Sequence, residues 1–210
     1  MPDNKDSFEG DQCRIKVNPS GGYFYLNDSD DISQIRLLDI AKSLSRQCRF
    51  TGHLLPNVEM YSVAEHCVLV STILEMQGED PVTVFAGLMH DTAEAYLSDI
   101  AAPFKGNIGN YHAVEAAIMK RIKTRYRLPE KNSPAIKKAD WLALFIEADQ
   151  LVVRKSDPEG VETWQGYDQY GLEGRRLSDR MTLQCWLPSE AAHQFLMRFA
   201  ICVDNLYGAE

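Results

Sequence analysis

The stretch DPVTVFAGLMHDTAEAYL, residues 80–97, decides the reading of this chain. Asp80 followed by Pro81 is a helix start: an N-cap carboxylate, then a proline at the first position, where its missing N–H costs nothing. Apolar residues then recur at helical spacing, which predicts a helix to about Leu97. On it Asp91 falls on the stripe of Val84, Leu88 and Ala95, and His90 lies with Ala86, Ala93, Glu94 and Leu97. A carboxylate aimed into a core costs several kcal/mol unless a cation meets it.

The neighbouring helices repeat the pattern. Ser62-Val63-Ala64-Glu65 reads as a capping box, with Ser62 as N-cap and Glu65 reaching back to its amide. Val63, Val70, Ile73 and Leu74 form the buried face of the helix that follows, and His66 shares that face. Ser133-Pro134 opens another helix, ending near Val153, and Asp140 lies on its stripe of Ile136, Ala143 and Leu144. Further helices are predicted over about 31–46, 111–126 and 189–206. Before them, Arg14 to Val17 and Tyr23 to Leu26 flank the turn cluster Asn18 to Gly22, the pattern of a short hairpin. From Lys155 to Gln184 the periodicity fails, and Gly160, Gly166, Gly171 and Gly174 alternate with Trp164, Tyr167 and Tyr170. The expected architecture is all-α: one helical domain over 1–210, with a core at about 22–153 and an extension over 154–210. It carries a small N-terminal β-hairpin and an irregular C-terminal insertion.

Composition narrows the function. The 210 residues are 45% hydrophobic and 25% charged, with Lys+Arg 22 against Asp+Glu 30 and a formal charge of -8. These are globular values, and so acidic a chain repels the phosphates of nucleic acids and anionic membranes. A small phosphorylated ligand stays open, because one pocket can be locally basic. No run of about 18 apolar residues suggests a membrane span. Met1 to Gln12 is polar and acidic, unlike a secretory signal. Five scattered cysteines without a C-x-x-C read as reduced thiols. The expectation is a cytoplasmic protein with no nucleic-acid and no membrane partner.

Each inward polar residue has a plain reading by itself. A lone inward His is more often a hydrogen-bonded core histidine than a ligand, and Asp91 or Asp140 could pair with Lys137 or Arg121. Together, two imidazoles and two carboxylates from three helices would be aimed at one interior, and one common cation is the cheaper explanation. The resulting N2O2 set suits a borderline divalent ion such as Zn, Co, Mn, Ni or Fe. Adjacent side chains diverge by about 100° on a helix, so His90 and Asp91 share an ion only if it sits between their directions.

These residues resemble a known family. His66, then His90-Asp91, then Asp140 is similar to the H…HD…D pattern of the HD-domain metal-dependent phosphohydrolases. Ser62 to His66, His90 to Glu94, Asp99 to Lys105 and Lys137 to Asp140 resemble the 5′-deoxynucleotidase subgroup, and Arg49 to His53 its small bacterial and bacteriophage members. The likeness covers roughly Gly22 to Asp149. It implies metal ligation by His66, His90, Asp91 and Asp140, and Glu94 as the general acid/base. Glu94 follows His90 by four residues and Asp91 by three, so it projects over the same site. Support of His90 is its alternative role. Asp99 is the second catalytic candidate, orienting water or substrate, against a plain turn carboxylate.

For the substrate, the resemblance implies Arg49, Lys105 and Lys137 as phosphate cations, with Phe50 and Pro103 as the wall against the sugar. The subgroup often carries Trp where this chain has Phe50, which weakens the inference about the sugar; Phe50 as plain core stands beside it. Lys138, Arg121 and the rest of the basic run from Lys120 to Arg127 read as solvated charges, and His53 stays open. Only His112 lies between the HD pair and Asp140, which argues for a mononuclear site. The implied activity is removal of 5′-phosphate from deoxynucleotides, with deoxyadenosine nucleotides (dATP, dADP, dAMP) favoured. Alternatives are a general deoxynucleoside monophosphatase and a nucleotide sensor without turnover. The implied cofactor is one transition-metal ion (Zn, Co, Mn or Ni), with Mg accompanying a triphosphate. The small-molecule partner is a deoxynucleotide, and relatives in this family assemble as homo-oligomers.

Overall fold

The computed structural model describes residues 13–17, 19–26, 31–154, 156–157 and 160–208. Strands β1 (Arg14–Val17) and β2 (Gly22–Tyr25) pair antiparallel, from Arg14 opposite Tyr25 to Val17 opposite Gly22. There follow α1 (Leu37–Leu44), α2 (Val63–Met76), α3 (Pro81–Leu88), α4 (Glu94–Leu97), α5 (Ala102–Lys105) and α6 (Tyr111–Tyr126). Then come α7 (Pro134–Glu147), α8 (Leu172–Ser178) and α9 (Pro188–Tyr207). The expected all-α architecture with its small hairpin is what forms. The reading of Met1 to Gln12 lies outside the described residues, as do Asn18, Lys155, Pro158 and Glu159. Among the described residues no helix is long and apolar enough to cross a membrane.

The bundle is organised around α2, which is buried along most of its length and packs against α3, α7 and α9. Its start is half of the expected box. Ser62 Oγ accepts from Glu65 N at 3.2 Å, but the Glu65 carboxylate turns away from the N-cap. It accepts instead from the backbone N–H groups of Gln184, Cys185 and Trp186, at 2.9, 3.0 and 2.8 Å. Three donors from a distant segment outbid the one local amide. Asp80 caps α3 through the amides of Val82 and Thr83, and Ser133 caps α7 through Ala135, both as read. Gly87 lets α3 lie close on α2, since a Cβ there would collide with Leu74 Cδ1.

Besides the capping box, three expectations need correction. The predicted helix over 31–46 is a 3-10 turn (Ile32–Gln34), an extended step at Ile35 and Arg36, and then α1. Asp31 and Gln34 spend their side chains locally, on Ser33 N, on each other and on Tyr25 N, which competes with helix. The helix expected over 81–97 breaks after Leu88, as described below.

The stretch over 155–184 is partly ordered into a π-turn (Tyr167–Gly171) and α8, which packs on α7. Its glycines replace periodicity with close approach. Gly166 has φ +83, and a Cβ there would stand 2.9 Å from Trp141 Cε3. Trp141 in turn stacks near Tyr170 and Phe145. Lastly, Arg121 is no solvated charge. It is buried and donates to Tyr25 O at 2.9 Å and Asp31 O at 2.8 Å, over the ring of Phe24, pinning the hairpin to α6.

Candidate metal centre

His66 enters from α2, at the foot of the bundle's central helix, and is fully buried. His90 and Asp91 lie in the turn that separates α3 from α4. Met89 leaves helical geometry (φ -95, ψ 2), and the chain changes to bonds between residues three apart: Thr92 N to Met89 O, Glu94 N to Asp91 O, Ala95 N to Thr92 O. Thr92 Oγ1 also donates to Met89 O at 2.7 Å, taking a carbonyl the helix would have used. The break removes the divergence expected of neighbours on one helix, and His90 Nε2 stands 3.2 Å from Asp91 Oδ2. Asp140 completes the group from α7.

The four donors converge. His66 Nε2 is 3.3 Å from His90 Nε2, 3.5 Å from Asp91 Oδ2 and 3.4 Å from Asp140 Oδ1. Donor atoms of His66, His90 and Asp140 lie within 4.8 Å of one another, a spacing suited to one ion. The outer ring nitrogens fix which lone pairs face inward. His66 Nδ1–H donates to Glu147 Oε1 at 2.6 Å, and His90 Nδ1–H donates to Gly87 O at 2.8 Å. In their neutral forms both Nε2 atoms therefore present lone pairs to each other and to two carboxylates. Four acceptors facing one point repel unless a cation stands among them, so the residues fit a divalent metal.

Electrostatics agrees. Burial raises the Asp91 carboxyl and His90 and His66 lower it; the imidazoles win, leaving it well below the usual carboxylate range. The same contest leaves Asp140 depressed, by His66 and His90. Burial and Arg49 oppose a charge on His66, but Glu147, Asp140 and Asp91 outweigh them and raise its pKa well above the imidazole norm. The site attracts positive charge.

Behind the donors is a residue that the sequence reading passed over. Glu147, fully buried at the end of α7, takes His66 on Oε1, Tyr61 OH at 3.1 Å on the same oxygen, and Arg49 Nε at 3.1 Å on Oε2. It follows Asp140 by seven residues, two helical turns, so the stripe that located Asp140 also contains it. Arg49 reaches this point because its loop is closed at the base: Cys48 bridges Ser62, Arg49 N donates to Tyr61 O, and Val63 N donates to Gln47 O. Phe50 and Thr51 turn the chain in the left-handed region, at φ 55 and 52.

On the open side stands Glu94, at the first turn of α4 and 2% exposed. Lys105 Nζ donates to its Oε1 at 2.9 Å and to Glu115 Oε1 at 3.2 Å, while Glu94 Oε2 has no hydrogen-bond partner among the described residues. Burial, with Asp91 and Asp99 adding repulsion, pushes the Glu94 carboxyl up to about 8. Gln47 holds the segment in place. Its amide donates to Glu94 O at 2.9 Å and accepts from Asp99 N at 2.8 Å.

Residues 63–159 match the family model of the HD domain. The uncharacterized protein YfdR of Escherichia coli K12 is 40% identical over 132 residues, covering 63% of this chain and 69% of YfdR. The chain belongs to the HD-domain family. An uncharacterized protein of Rhodobacter capsulatus is 32% identical over 124 residues, 56% of this chain and 63% of that protein. HD domains bind divalent metals, and membership points to a metal-dependent phosphohydrolase.

Within this HD-domain protein the expected residues take several distinct places. His66, His90 and Asp140 form one cluster, and Asp91 Oδ2 adjoins its two imidazoles at 3.5 and 3.2 Å. Glu94 and Lys105 form a pair beside it, and Arg49 lies behind it, committed to Glu147. Lys137 is 68% exposed and donates to Asp140 Oδ2 at 3.1 Å, at the rim. Phe50 is half-buried with Trp164 6.4 Å away, and Pro103 is exposed on α5. His112 is exposed beside Glu115 and takes no part in the cluster.

Proposed function

We propose that this chain hydrolyses 5′-phosphate from deoxynucleotides, favouring deoxyadenosine nucleotides (dATP, dADP, dAMP), with His66, His90, Asp91 and Asp140 as the ligands of one divalent transition-metal ion. The observation that carries the reading is Glu94: a buried carboxyl with one oxygen held by Lys105 and the other without a hydrogen-bond partner among the described residues, beside the converging metal donors. A structural ion would need the donors and not this acid. A bound ion of this kind supplies Lewis acidity toward a phosphate ester.

The chain's own groups do the rest. Glu94 Oε2 accepts a proton from the attacking water as the water oxygen bonds to phosphorus, and returns it to the sugar O5′ as the P–O5′ bond breaks. Lys105 keeps Glu94 aimed, and Lys137 at the rim offers a point charge to phosphate. Arg49 lends positive charge from behind His66 through its pair with Glu147. Asp99, fixed at its amide by Gln47, orients water or substrate. Phe50 and Pro103 face the sugar. Base preference rests on the resemblance to phage and bacterial deoxynucleotidases, and the general monophosphatase is the other version of the same chemistry.

The test is phosphate release from the four deoxynucleotides and their ribonucleotide counterparts, as mono- and triphosphates, with Mn, Co, Zn, Ni or Mg. Deoxyadenosine substrates should lead at both phosphate levels. Glu94→Gln should lower turnover by about 10²–10⁴ while the ion stays bound. Turnover of monophosphates alone, across all bases, selects the monophosphatase. No phosphate from any of them overturns the proposal and leaves the sensor reading.

A further inference from the structure

Lys105 has no firm seat of its own. It ends α5, a single turn of helix in which Ala102, Pro103 and Phe104 are exposed and no residue is buried. A lysine on such a turn has every entropic reason to rotate freely. Yet its ammonium is held from two sides. Nζ donates to Glu94 Oε1 at 2.9 Å and to Glu115 Oε1 at 3.2 Å, and it lies 5.5 Å from the centre of the Tyr111 ring, within reach of a cation–π contact. Tyr111 and Glu115 are four residues apart and share one face of α6. That helix is well seated. Tyr111, Ile118 and Ile122 are buried, and Tyr111 OH donates to Ser98 O at 3.3 Å, at the end of the turn that Glu94 begins. So α6 is the rigid partner and α5 the loose one, and the Glu115 carboxylate ties the two together at Lys105. Glu94 and Glu115 share one ammonium, and the place of the first is set by the second.

We propose that Glu115 is a positioning residue for the hydrolysis: it fixes Lys105, through Lys105 it holds the Glu94 carboxyl in place beside the metal donors, and it keeps Pro103 of α5 at the edge of the site. The role rests on the hydrolase reading proposed above. It adds a residue that acts through another side chain and not on the substrate. Lys105 in turn belongs to the acid/base pair, so its loss should be felt in the chemical step more than in binding.

The experiment is steady-state hydrolysis of the parent's best deoxynucleotide by Glu115→Ala, Glu115→Gln, Lys105→Met and the double variant Glu115→Ala/Lys105→Met. Glu115→Ala should lower kcat about 10–100-fold with KM little changed. Glu115→Gln keeps an oxygen that accepts from Lys105 and should recover part of that loss; it also keeps the volume, and carries the test if Glu115→Ala folds poorly. In the Lys105→Met background, Glu115→Ala should cost nothing further, because the group it acts through is gone. Merely structural support would make the two losses additive, which overturns the role. So does a fully active Glu115→Ala, or a rise in KM with kcat intact, which would put the pair on bound phosphate. These outcomes leave the hydrolase reading standing, whereas a parent that releases no phosphate overturns that reading and the role together.

Discussion

Glu147 Oε1 stands 2.6 Å from His66 Nδ1, so the innermost imidazole of the candidate metal centre is held from behind by the helix that also carries Asp140. One carboxylate fixes the ring's tautomer, neutralises Arg49 and sets the spacing of α2 and α7.

Replacing it should separate shape from charge. Glu147→Gln keeps the volume but weakens the hold on His66, and should lower metal affinity by about 10–100-fold in a chelator competition. Glu147→Ala leaves Arg49 buried and unpaired, and should cost about 3–5 kcal/mol in chemical denaturation.

Glu94 should make the metal-free protein less stable as pH rises. Its carboxyl is raised from 4.5 to about 8 by burial and by Asp91 and Asp99, so the folded chain keeps a proton that the unfolded chain releases in that window. Each pH unit there removes about 1.4 kcal/mol of stability. Glu94→Gln takes the ionisation away. Its melting temperature should match the parent's below pH 4.5 and exceed it increasingly toward pH 8. A constant gap at every pH would show that burial of this carboxyl is not the source.

Glu65→Ala should loosen the tail. The carboxylate is the shared acceptor for three amides at 184–186, and Cys185 there sits in the left-handed region at φ 54. The expected loss is about 2–4 kcal/mol, with hydrogen exchange accelerated at those three amides.

Gly166→Ala should destabilise by more than the 1 kcal/mol or so lost to an unfavourable φ alone, because the new methyl also meets the Trp141 ring. Quenching or shift of Trp141 fluorescence reports the displacement directly.

Much of the site was legible because the four donor residues sit on faces their neighbours declare apolar, and because Ser62, Asp80-Pro81 and Ser133-Pro134 mark where those helices begin. Their joint convergence needed the structure. The break after Leu88 has no proline to announce it; it follows from Thr92 taking the Met89 carbonyl, a choice visible only in three dimensions. Glu147 lay on the right stripe, yet it is flanked by Phe145, Ile146 and Ala148, and nothing local tells that Arg49, 98 residues earlier, is its partner. Glu65 misled for a similar reason: a local rule named the nearest amide, and a remote strap supplied three.

The order of the donors along the chain bears on biosynthesis. His66, His90 and Asp91 leave the ribosome first, and Asp140 follows 49 residues after Asp91, with Glu147 seven later still. A chain interrupted before α7 exposes two imidazoles and one carboxylate with no opposing wall and no brace for His66. On the proposed reading, ion capture would wait until translation has passed Glu147.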